Sequence, residues 1–145
     1  MENEYLKLGD IKEPLILFFI RRTYNPKNAD SNHIYDCTRK FWRIAAERIQ
    51  IESNGNFIYP IALGIYNGEV KGVFKIETWD LARNINTTEP DYINYANRYV
   101  FDGKPIDNSI YIGKILLDKN GEVLKNLQNP VRYINNKLDL KNISF

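Results

Sequence analysis

The first strong apolar run, residues 14–20 (Pro-Leu-Ile-Leu-Phe-Phe-Ile), is short, continuous and rich in β-formers. Such a run suits a strand covered on both faces, and a proline at its start removes no interior ladder bond. It predicts a central strand that ends in Arg21-Arg22-Thr23-Tyr24, where Asn25-Pro26 breaks the pattern. Asp30 and Ser31 are both good N-caps. From them, Ile34, Cys37, Phe41, Ile44 and Arg48 fall near one stripe, with Asp36, Lys40, Arg43 and Glu47 off it, which predicts one main helix over about 31–49. Asn54-Gly55 marks a loop, and residues 57–66 read as a strand interrupted early by Pro60. Asn67-Gly68 supplies the positive φ angles of a type I′ turn, so a hairpin joins this strand to the next. On that second strand Gly72, Phe74, Ile76 and Thr78 alternate with Lys71, Val73, Lys75, Glu77 and Trp79, which places Trp79 with the more polar set.

Residues 80–97 are polar, rich in Asn and Thr and without clear period, and predict a long loop with one short helical turn around 90–96. A strand resumes at 98–101 and is turned by Asp102-Gly103; residues 110–112, 123–127 and 131–134 complete the set of short strands. Short strands around one dominant helix define an α+β class, with a curled, mostly antiparallel sheet or a partly open β-barrel and smaller flanking helices. At 145 residues, with no internal repeat or linker-like tract, one domain is expected.

Composition mainly removes possibilities. Apolar residues at 43%, charged residues at 26% and aromatic residues at 13% are those of a folded globular chain. The single cysteine, Cys37, excludes an internal disulfide framework, and one histidine with one cysteine cannot supply a structural zinc set; no metal and no cofactor is expected. The start carries Glu2, Glu4, Lys7 and Asp10 and lacks the pattern of a signal peptide, while residues 15–20 fall far short of the ~20 apolar residues a bilayer span needs. A soluble, cytoplasmic protein without membrane contact is expected. The formal charge of +2 does not announce a nucleic-acid protein. Between Arg21 and Arg48, however, Arg22, Lys27, Arg39, Lys40 and Arg43 add to a mild basic concentration opposed by Asp30, Asp36 and Glu47, which a solvated helix face explains equally well.

Several motifs fail as chemistry. Gly64-Ile65-Tyr66 and Tyr111-Ile112-Gly113 spell the tripeptides of the GIY-YIG nucleases, but residues 67–110 separate them where those families need a local hairpin. Glu69-Val70-Lys71 matches half of a metal-dependent nuclease pattern, yet it sits beside the hairpin tip with no Pro-Asp before it. His33 reads as a surface or capping histidine in the first helical turn, and Cys37 as a buried small hydrophobe. Aromatic and basic positions survive better. Tyr24, Trp42, Trp79 and Tyr133 are flat rings that can sandwich a base, although core packing uses the same residues; Arg22, Arg43, Gln128, Asn129 and Arg132 offer donors and acceptors for its edge or backbone.

Arg22-Thr23-Tyr24 after a hydrophobic strand, Thr38-Arg39-Lys40-Phe41-Trp42, Asn67-Gly68, Glu77-Thr78-Trp79, Tyr111-Ile112-Gly113-Lys114 and Gln128-Asn129-Pro130-Val131-Arg132-Tyr133 follow one another over residues 14–135. In that order they resemble a group of small bacterial domains associated with the PUA-like superfamily, which includes the EVE, ASCH and YTH domains, and with restriction or phage-defence neighbourhoods. The resemblance implies a compact β-barrel with flanking helices and, because several such domains bind RNA or modified DNA, a base held by aromatics. The leading expectation is therefore a non-enzymatic module that binds RNA or DNA through a basic surface and an aromatic pocket. The alternatives are a protein-interaction module or defence factor docking on a larger enzyme, and a small nuclease or hydrolase.

Overall fold

A computed structural model describes residues 5–21, 24–28, 30–40, 42–51, 55–84, 97–124 and 130–134. Among the described residues, seven strands form one mixed, mostly antiparallel sheet: β1 (Tyr5–Lys7), β2 (Leu15–Phe19), β3 (Ile61–Tyr66), β4 (Glu69–Leu81), β5 (Tyr99–Pro105), β6 (Ile115–Leu117) and β7 (Val131–Ile134). Among the described residues there is one α-helix, α1 (Ser31–Arg39), together with single 3-10 turns such as Ala46–Ile49. The strand order is β1-β6-β4-β3-β2-β7, and β5 pairs with β4. β4 is the hub. Phe74 pairs with Ala62 of β3 and with Pro105 of β5, so those two strands lie on opposite edges of it. The pairs β1–β6 and β2–β3 are parallel. α1 lies in the connection between β2 and β3, as a parallel pair requires a crossover. The described strands do not close into a barrel, and the fold is α+β.

The apolar run does form the predicted central strand: Leu15 through Phe19 are all buried, between β3 and β7. Strand alternation divides it between two cores. Ile16, Phe18 and Ile20 face the core on the helix side with Cys37, Trp42, Ile58, Tyr59, Ala62, Phe74, Ile76 and Phe101. Leu15, Leu17 and Phe19 face a second core with Leu63, Ile65, Val70, Val73, Tyr111 and Leu116. Removing each such aliphatic side chain from water contributes roughly 1.5–3 kcal/mol. The Asn67-Gly68 hairpin is present, with φ of 51° and 84° at its two central residues.

Several sequence expectations are corrected. Asp102-Gly103 does not turn the chain but lies within β5, β3 begins only at Ile61 rather than at residue 57, and β4 runs into the expected 80–97 loop as far as Leu81. The main helix does not run over 31–49; it stops at Arg39, and Lys40 is extended at φ −151°, ψ 157°. The cause is tertiary. Trp42 leaves the helix to exchange both backbone hydrogen bonds with Tyr99, at 2.9 and 2.8 Å, and its indole N–H donates to the Thr38 carbonyl at 2.7 Å, capping the last turn. Residues 110–112 are not a strand but successive tight turns ending at Gly113 (φ 83°), and the strand lies instead at Ile115–Leu117. Tyr111 alone points inward there, while Ile110 stays 75% exposed. Trp79 does not belong with the polar set of β4. Ile76 pairs with Gly103 and Thr78 with Asp102, so Glu77 is an extra, bulged residue that returns Trp79 to the aromatic core. β1 was not anticipated from the sequence, and the predicted turn around 90–96 lies outside the described residues. Among the described residues no helix is long and apolar enough to cross a membrane.

Candidate functional site

Three strand ends and the segment after α1 deliver the four expected aromatic side chains to one face of the sheet. Tyr24 follows β2, Trp42 follows α1, Trp79 stands near the end of β4 and Tyr133 lies in β7; all four pack on the core that contains Phe18. They form a belt around that core rather than one stack. Phe18 is the hub for the indoles, stacked on Trp42 at 4.8 Å and tilted against Trp79 at 6.3 Å between ring centroids. Trp79 also meets Tyr99 and Phe101 edge-on, at 6.4 and 5.3 Å. Tyr24 stacks on His33 and tilts against Tyr66, with the Lys71 ammonium 6.0 Å from its ring. Tyr133 meets Tyr59 at 5.2 Å.

Burial separates these rings. Tyr24 and Trp42 are 9% and 8% exposed, and the Trp42 indole is satisfied by Thr38, so both are chiefly packing residues. Trp79 is half-buried, yet its indole nitrogen is shielded from solvent and has no hydrogen-bond partner among the described residues. A buried donor left unpaired costs about 1–3 kcal/mol relative to a paired one, and native proteins keep few of them. Of the polar positions, Arg43 is exposed next to Trp42. Arg132 pairs across the sheet with Leu17, while Tyr133 pairs with Ile16; Arg132 therefore lies on the face opposite the belt. Arg22, Gln128 and Asn129 lie outside the described residues.

His33 is neither free nor a simple cap. Its Nε2 accepts the Asn25 backbone N–H at 2.8 Å, while its own backbone N–H donates to the Asp30 side chain at 2.8 Å, so the ring fastens the segment after β2 to α1. The Glu69 and Lys71 side chains are paired with each other at 3.2 Å. Among the described residues no group of three or more His, Cys, Asp or Glu side chains is placed to share a metal ion. A groove of about 160 Å³ runs between α1 and the paired strands β4 and β5, lined by Asn32, Tyr35, Lys71, Phe74, Pro105 and Ile112 among others.

Two participants were missed in the sequence. Tyr99 holds Trp42 through the backbone and Trp79 through its ring. Arg48 lays its guanidinium over Tyr133, 4.5 Å from the ring centroid, and donates to the Tyr59 hydroxyl at 3.2 Å. Its signal was an arginine on an otherwise apolar stripe. Burial raises the Tyr133 phenol above its ordinary value, an effect that the Arg48 charge partly offsets. The chain matches no protein-family model, no curated protein and no solved structure.

Proposed function

We propose that this chain is a PUA-like, non-enzymatic, cytoplasmic module that binds single-stranded or locally unpaired RNA or DNA, taking a base against the aromatic belt. The observation that carries the reading is the buried, unpartnered indole N–H of Trp79 between Tyr99, Phe101 and Phe18. A base offers what that donor lacks, a carbonyl or ring-nitrogen acceptor on a flat ring that stacks on aromatics. Exposed Arg21, Lys27 and Arg43 supply phosphate contacts on the same stretch of chain. The motif resemblance to PUA-like domains supports the same reading.

Tryptophan fluorescence titrated with RNA and DNA oligonucleotides, with plain and modified bases, over a salt series tests it. Salt-sensitive binding is expected; none to any oligonucleotide overturns the proposal. Trp79→Phe keeps an aromatic face and removes the donor. It should weaken binding about 3- to 10-fold, with urea unfolding confirming that the variant is folded.

The exposed pair Ile110 and Ile112, 75% and 39% accessible beside the groove, favours a second reading, a protein-docking module. A stoichiometric protein partner co-purifying without nucleic acid would select it.

A further inference from the structure

Arg48 is a charged side chain held in place without a counter-charge among the described residues. Its guanidinium lies 4.5 Å over the Tyr133 ring, and one edge donates to the Tyr59 hydroxyl at 3.2 Å. The side chain is half-buried, and no carboxylate lies within ion-pair distance of it among the described residues. Arg39 shows the contrast. It donates to the Phe101 carbonyl and pairs with Asp102 at 2.6 Å, so its charge is answered within the fold. A neutral hydroxyl and a ring face orient Arg48, but they leave most of its five donors without an anionic acceptor.

We infer that Arg48 is a phosphate-binding residue, reading a phosphodiester of the strand whose base enters the aromatic belt; this rests on the proposed nucleic-acid function. Three points support it. A guanidinium stacked on tyrosine has already lost the side-chain freedom that a phosphate contact would otherwise remove, so the fork is presented in one orientation. The segment from Trp42 through exposed Arg43 to Arg48 leads from the indoles to Tyr133, along which a backbone could run. Glu47, the neighbouring acid, is exposed and makes no ion pair with Arg48.

The test compares the wild-type chain with Arg48→Gln and Arg48→Lys, titrated with one single-stranded oligonucleotide over a salt series. Arg48→Gln should bind on the order of tenfold more weakly, and its slope of log affinity against log salt should fall by about 0.7, one phosphate's worth for a single strand. Arg48→Lys should keep the slope and lose part of the affinity, because charge survives and the stacked fork does not. Thermal melting shows whether Arg48→Gln is folded; if it is not, the lysine variant decides alone, and unchanged affinity there overturns the inference. Wild-type binding with Arg48→Gln unchanged in slope and affinity overturns the inference and leaves the proposed function standing. Absence of wild-type binding overturns both.

Discussion

At the residue scale, Tyr111 shows how one polar atom anchors an otherwise exposed turn. Its ring is buried in the second core while Ile110 and Ile112 on either side stay accessible, and its hydroxyl donates to the Glu13 carboxylate. Burial first, then the Glu13 hydrogen bond and charge, push the phenol well above its ordinary value of 10.0. A folded-state value raised in this way means that the unfolded chain ionises first. The contribution to stability is therefore intact below about pH 10 and is lost as pH rises beyond it toward the folded value. Tyr111→Phe should cost about 1–2 kcal/mol at pH 7.5, measured by urea unfolding. The gap between wild type and variant should then narrow between pH 10 and 11.5, where subtraction cancels the other tyrosines. A gap that stays constant across that range would show that the phenol is not the group involved.

At the element scale, β4 shows why alternation alone misplaced Trp79. A period of two carries Ile76 inward and Trp79 outward with Lys75 and Glu77, but one bulged residue, Glu77, reverses the parity from Thr78 onward. Gly103 permits the bulge. A Cβ there would overlap the Lys75 backbone carbonyl, the close approach that the opposing strand makes at this point. Gly103→Ala should destabilise the fold by about 1–3 kcal/mol. In a Trp42→Phe background, where Trp79 alone reports, its emission should shift to the red as the strand end is pushed off the core. An unshifted, fully stable variant would mean that the bulge does not seat Trp79. Legibility divides along the same line. The central strand at β2 and the Asn67-Gly68 hairpin were readable, because residues within each segment determine them. The helix end at Arg39 was not, because it depends on Tyr99, far along the chain, claiming the Trp42 backbone. Nor was β1, whose three residues pair with β6 far along the chain while Leu6 packs on the second core.

At the scale of the whole molecule, the aromatic residues were legible as types but not as an arrangement. Tyr24, Trp42, Trp79 and Tyr133 do share one core, whereas Arg132 goes to the opposite face through simple alternation, and the seat of Arg48 on Tyr133 depends on a 3-10 turn where a continuous helix was expected. What joins the two faces is β2, whose side chains alternate between the two cores. That arrangement predicts that damage on the face away from the tryptophans is felt by them. Leu17 is fully buried in the second core, and Leu17→Ala should cost about 2–5 kcal/mol through the lost burial and the cavity left behind. Both indoles lie across the sheet against Phe18, so their fluorescence should follow the same urea midpoint as far-UV circular dichroism, shifted equally in the variant. If Leu17→Ala lowered the dichroism midpoint and left the tryptophan midpoint in place, the two cores would be separate cooperative units, and β2 would couple them in geometry but not in stability.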